Sequence, residues 1–383
     1  MSVKLHWFLP TTGDSRSDLS HGDAVGYRPG AEGEHHHQRE ASLEYLADVA
    51  RAAERSGFEA ALTPISSWCP DPWVLTSAIA QHAQRLKFLV AFRPSFLSPT
   101  LAAQMAATYQ RVTNNRLLLN IVVGGDDVEQ HRFGDWLSKD ERYAQAGEFL
   151  HVFREAWERE FDYAGQHVKV EGAFVPDPPA RPRIYLGGSS PAAIETAAKY
   201  VDVFLTWGEP PAQVAEKLDR VRAAAEREGR DVRFGIRLHV ITRDTSDEAW
   251  AEADRLVRGL DPDEIARAQA KLAKSQSEGQ RRMLALHNGR TDNLEVSPNL
   301  WAGVGLVRGG AGTALVGSHS EVVDRIAEYH DLGIEEVVLS GYPHLEEAYR
   351  AGEGLIPELR RRGLLAEDGA GAPAAPAPVE VAA

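Results

Sequence analysis

The chain has 383 residues, 43% of them hydrophobic, enough to bury a large core. Its 56 acidic and 42 basic residues give a net charge of −14, with no dense Lys/Arg run. That argues against nucleic acid or an anionic membrane as partner, and means that any bound anion must be held by a few local cations.

Short apolar runs alternate with amphipathic helical patterns along the chain. Residues 3–9 predict a first strand. A long Gly/His/Asp/Arg-rich loop (10–40) leads to a helix over 43–57 that stops at Gly57. Then come strand 59–63 with helix 72–84, strand 86–92 with helix 100–113, and strand 116–124 with helix 141–160. Residues 161–182 predict a β-hairpin and a Pro-rich turn. Four more strands are predicted at 183–188, 201–207, 233–241 and 335–341, each with a helical pattern behind it. A large insertion, 246–318, follows the seventh strand and carries helices near 247–259 and 261–286, then a Gly-rich stretch. The Ala/Pro/Gly-rich tail, 366–383, is expected to be disordered. Eight strand–helix units with strands apolar on both faces predict an α/β fold, a (β/α)8 TIM barrel over residues 1–365 as one domain. An open doubly wound sheet is the alternative on periodicity alone. The opening MSVKLHWFLPTTGD lacks a signal-like apolar run, and no run reaches the roughly 18–20 residues of a membrane span. A cytoplasmic location is therefore expected.

In such a barrel the chemistry sits at the C-terminal ends of the strands. Candidates there are Trp7 and Leu9, Cys69, Arg93, Asn120, Gly187 to Ser190, Trp207, Arg237 with His239, and Tyr342 with His344. Arg237 and His239 are two apart on a predicted strand, so they share a face. They read either as an anion clamp in the barrel mouth or as partners of internal carboxylates. Gly187, Gly188, Ser189 and Ser190 end a strand and open a helix, an arrangement that suits phosphate as well as an ordinary serine cap. GLVRGGAG (305–312) reads as a glycine-hinged lid carrying Arg308 rather than as a dinucleotide turn. The triplet His35–His37 reads as a solvated loop, and no metal site is expected. With one cysteine the chain has no internal disulfide; Cys69 reads as a pocket-lining thiol.

The segments WFLPTTGD, RLKFLVAFRPS, YLGGSS, LTWGEPP, RFGIRLHVI, the stretch from RRMLALHNGR to GTALVG, and LSGYPHLEEAYR resemble the alkanesulfonate monooxygenases, bacterial-luciferase-like flavin enzymes. The resemblance spans residues 3–360. It implies a barrel that takes reduced FMN (FMNH2) from a separate NAD(P)H:FMN reductase. With O2, this oxygenates a small sulfonate to an aldehyde and sulfite. It implies catalytic roles for Arg237, His239, Arg308, Tyr342, Trp207 and Cys69, and flavin contacts at Asn120, Tyr143, Gly187, Gly188, Ser189 and Ser190. A homodimer or homotetramer is expected by resemblance. Loop 10–40 and segment 124–138 depart from the family pattern, which leaves the chain length of the substrate open. The other readings are the same chemistry on methanesulfonate or a sulfone, a deazaflavin-dependent dehydrogenase on the same barrel, and a non-catalytic flavin-binding protein.

Overall fold

The structure, a computed structural model, describes residues 2–15, 19 and 38–365. The His35–His37 triplet, most of loop 10–40 and the tail 366–383 lie outside the described residues.

Eight parallel strands close a barrel: β1 (Lys4–Phe8), β2 (Ala60–Thr63), β3 (Lys87–Phe92), β4 (Leu117–Ile121), β5 (Ile184–Leu186), β6 (Val203–Trp207), β7 (Arg233–Arg237) and β8 (Ile334–Val338). Neighbours in sequence are neighbours in space, and β8 closes on β1 through Lys4–Glu336, Leu5–Val337 and His6–Val338. The open-sheet alternative is therefore excluded.

The helices between them begin and end where local chemistry dictates. Helix α1 (Leu43–Ser56) starts at Ser42, whose hydroxyl accepts from Tyr45 N at 3.2 Å. It stops at Gly57, which takes the left-handed conformation, φ 97°, that a side chain would resist. Helices α2 (Pro72–Ile79) and α3 (Pro99–Thr113) each open on a polar cap followed by proline. Helix α4 (Lys139–Glu158) opens on a reciprocal Ser138–Glu141 capping box. The outer ring is completed by α5 (Pro191–Tyr200), α6 (Pro211–Arg227), α7 (His319–Asp331) and α8 (His344–Arg350). The 161–182 region is the expected hairpin, Phe161–Ala164 paired antiparallel with Lys169–Ala173.

Strand alternation sorts the core into two layers. Trp7, Phe88, Val90, Leu119, Phe204 and Ile236 pack outward with the helices. Phe8, Leu62, Leu89, Leu118, Tyr185, Leu205 and Val338 form a separate cluster that fills the lumen.

Two expectations need correction. The predicted strand 233–241 is two strands. After Arg237 the chain leaves the barrel at Leu238, and His239–Arg243 pairs parallel with Ala314–Ser318 in a second, four-stranded sheet. That sheet is built largely from the insertion, with Leu300–Trp301 and Glu295–Ser297 as its further strands. The predicted helix 261–286 is likewise two, Pro262–Leu272 and Glu278–His287, the second restarting on a Ser277 cap. Among the described residues, no helix is long and apolar enough to cross a membrane.

Candidate active site

A cavity of about 410 Å³ opens at the C-terminal ends of the strands. Its floor is the lumen layer, with Phe8, Leu62, Ala91 and Leu205 among the lining residues. Its roof comes from the insertion: Ser275 to Gln280 on one side and Arg308 to Ala311 on the other. Both roof segments are tied down. Gly310 N donates to Gln280 Oε1 at 2.9 Å, and Gln276 N donates to Gly125 O, beyond β4, at 3.0 Å.

Of the residues singled out in the sequence, Cys69, Asn120, Tyr143, Gly187, Gly188, Ser189, Ser190, Trp207, Arg237 and Arg308 line this cavity. The two arginines converge. Arg237 lies 4.7 Å and Arg308 5.4 Å from the centre of the Phe8 ring. Both are buried. Arg237 donates to Leu238 O and, at 2.8 Å, to Ser340 Oγ.

His239 and Tyr342 do not line the cavity; they stand behind it. The His239 ring is fully buried and bridges the two arginines: Nε2 lies 2.9 Å from Arg308 Nη1, and Nδ1 lies 2.8 Å from Ser340 Oγ. Burial, then the charges of Arg237 and Arg308, hold its pKa well below the usual histidine value. Nε2 lies between a donor, Arg308 Nη1 at 2.9 Å, and an acceptor, Ala311 O at 3.1 Å, while Nδ1 faces the Ser340 hydroxyl. Tyr342 stacks on His239 at 5.5 Å and 15°.

Three other strand-end candidates point elsewhere. Trp7 packs outward against Phe58, and its Nε1 donates to His344 O at 3.2 Å. Leu9 lies in the same outer layer. His344 pairs with Asp14, Nδ1 to Oδ1 at 3.0 Å, where the chain folds back after β1. Arg93 lines the cavity but is engaged by Glu129.

The turn after β5 is as tight as its glycines allow. A Cβ at Gly187 would meet Leu205 O at 2.3 Å, and one at Gly188 would meet Ala193 Cβ at 2.6 Å and the Tyr143 hydroxyl at 3.1 Å. The cap of α5 is Ser190, accepting from Ala193 N at 3.3 Å, rather than Ser189. Burial raises the Tyr143 phenol above its usual pKa, so it stays a protonated donor or acceptor beside this turn.

Sequence reading missed a buried ion cluster at one wall. Lys217 of α6 lines the cavity, donates to Thr206 Oγ1 at 2.9 Å, and pairs with fully buried Glu209 at 3.1 Å. Arg282 from the insertion grips the same carboxylate with two bonds of 2.8 Å. Burial lowers the Lys217 pKa, and the Glu209 charge opposes that shift. A signal existed: Val214, Lys217, Leu218 and Val221 share one helical stripe, which places a lysine among residues that face the core.

The family model described as luciferase-like monooxygenase matches residues 6–336. Solved structures share the fold over nearly the whole chain. Riboflavin lyase RcaE, solved with modified FMN and riboflavin, has a TM-score of 0.77 at 17% identity and covers 96% of this chain and 93% of its own. Long-chain alkane monooxygenase LadA has 0.74 at 21%, with the same coverage. EDTA monooxygenase EmoA from Chelativorans sp. BNC1 has 0.71 at 17%, covering 96% and 95%. The barrel, the roofed cavity at its strand ends and the extent of the family match agree, and the chain belongs to the luciferase-like monooxygenase family.

Proposed function

We propose that the protein is a flavin-dependent monooxygenase that uses FMNH2, delivered by an NAD(P)H:FMN reductase, and O2 to cleave a small alkanesulfonate. The overall change consumes the sulfonate, O2 and FMNH2 and yields an aldehyde, hydrogen sulfite, oxidised FMN and water. The observation that carries this reading is the convergence of Arg237 and Arg308 over one aromatic ring in the cavity at the strand ends. A sulfonate is a permanent anion with three acceptor oxygens, which two guanidiniums match with directional donors.

The residues at the α5 end fit the phosphate of FMN. Gly187 and Gly188 leave the backbone bare beside the N-terminus of α5, and Lys217, paired with Glu209, lines the cavity wall. Asn120, Tyr143, Ser189 and Ser190 complete that side. When bound, the reduced flavin supplies the electrons that activate O2. The chain's own part is to hold the sulfonate with Arg237 and Arg308 and to keep water out with the 308–311 roof. Trp207 and Cys69 shape the cavity wall. His239 fixes Arg308 directly and Arg237 through Ser340, with Tyr342 packed behind it. A homo-oligomer belongs to the same reading.

The test is anaerobic loading with FMNH2, then mixing with O2 and sulfonates from methane- to decanesulfonate while sulfite is measured. Sulfite in step with O2 uptake is expected, and Arg237→Ala or Arg308→Ala should lower it at least about 100-fold with little change in melting temperature. Full sulfite release by either variant would remove that arginine from its role. Turnover with a reduced deazaflavin and an alcohol, and none with FMNH2, would overturn the reading.

A further inference from the structure

A second cavity, of about 340 Å³, adjoins the first. The two share Ile65, Ser66, Cys69 and Arg93 as lining residues. The walls of the side chamber are largely apolar: Trp73, Phe92, Phe96, Leu97, Met105 and Phe133. They come from α2, the end of β3, α3 and the segment after β4. In the closed order of the barrel, β3 stands four places from β7 in either direction. The chamber therefore lies across the mouth from Arg237.

Its polar groups are unusual for so apolar a space. Arg93 Nε and Nη1, Trp73 Nε1 and Ser67 Oγ are buried and have no hydrogen-bond partner among the described residues. Arg93 and Trp73 are 3% and 5% exposed. Unpartnered buried donors are costly, and guanidinium and indole N–H groups can be satisfied only by an acceptor. The charge of Arg93 is already matched, because Nη2 is held by Glu129. A second anion there would face the Glu129 carboxylate, whereas an uncharged acceptor would not.

From this we infer that the side chamber receives the distal end of the substrate and selects sulfonates whose tail is apolar but ends in an uncharged acceptor, such as a ketone, ether or amide. The inference rests on the sulfonate reading above. The head group is held on the β7 side, the tail crosses the mouth, and its acceptor meets Arg93 and Trp73.

The test compares heptane-1-sulfonate, 6-oxoheptane-1-sulfonate and methanesulfonate. Dissociation constants are measured by calorimetry on the full-length protein, beside sulfite release with FMNH2 and O2. The ketone should bind roughly five- to tenfold more tightly than the plain alkyl chain, as one added hydrogen bond allows. Met105→Trp, which fills the chamber, should weaken both long probes by roughly threefold to fourfold for each methylene it excludes, so the ratio of long-probe to methanesulfonate affinity collapses. Trp73→Phe keeps the ring but removes a donor, and should shrink the ketone preference while leaving the chain-length preference. Equal binding of ketone and alkyl probes, or long-probe affinities insensitive to Met105→Trp in a folded protein, would overturn the inference while sulfite release leaves the function standing. If no sulfonate binds or yields sulfite, both fall together.

Discussion

At the scale of single residues, His239 shows how burial redirects a familiar side chain. In the sequence it stands two positions from Arg237 and reads as a fellow ligand for an anion. In the fold the chain leaves the barrel between them, and His239 becomes the neutral link that sets both arginines. Because its folded pKa lies well below 6.5, the unfolded chain takes up a proton below that pH which the folded chain refuses. The stability that comes from keeping this ring neutral is complete above pH 6.5 and declines as the pH falls below it. His239→Gln should flatten the loss of melting temperature between pH 6.5 and 5. His6 and His287, also lowered by burial, contribute equally to both proteins, so the difference isolates His239. Identical slopes would mean that the ring is not held neutral. Arg237 and the glycine–serine turn were legible because a cation in an apolar strand and double glycines at a strand end are rare and expensive, and Arg308 because it stands alone in the glycine-rich segment 305–312. Ser340 and Phe8 were not, since a serine or phenylalanine at such a position is chemically unremarkable until the fold shows what it touches.

At the scale of elements, a buried carboxylate joins the roof to the barrel beside the Gln276–Gly125 contact. Glu209, just beyond β6, gathers Lys217 from α6 and Arg282 from helix Glu278–His287, while its carbonyl accepts from Tyr329 of α7 at 2.7 Å. Removing one partner of a buried ion cluster strands the others in low dielectric. Glu209→Ala should therefore cost about 3–5 kcal/mol in denaturant unfolding and speed hydrogen exchange across 278–287. A loss under 1 kcal/mol with unchanged exchange would show that the cluster does not carry the attachment. Helix periodicity revealed most elements to within a residue or two. It failed at 261–286, where Ser277 restarts the helix after a short break, because the apolar spacing runs on through both pieces. It failed again at 233–241, where the strand breaks only at Leu238 and resumes at once with a different partner.

At the scale of the molecule, the two ends of the barrel do different work. The strand starts carry an ion network: Glu336 accepts from Tyr185 at 2.6 Å and from Arg183 at 2.6 Å, and lies 3.3 Å from His6, with Glu59 bridging to Lys87 at 2.7 Å. The nearby cations and the tyrosine bond keep Glu336 ionised despite burial. Glu336→Ala should lower stability by about 3–5 kcal/mol while the KM for sulfonate stays put, since nothing at this end reaches the cavity. A large rise in KM would show the two ends to be coupled. The eightfold alternation made the closed barrel legible, because each strand is apolar on both faces and each helix on one. The roof was legible only as an insertion, since its sheet borrows a strand that the sequence presents as part of the barrel. That borrowing has a corollary. His239 N donates to Thr313 O at 2.9 Å, so the long detour leaves and returns at neighbouring backbone positions. Between those ends the cover touches the strand ends again through Gln276 and Gly125, Arg282 and Glu209, and Thr313 and Gly208, so a cover exchanged for a relative's must bring these contacts with it to seat on the strands below.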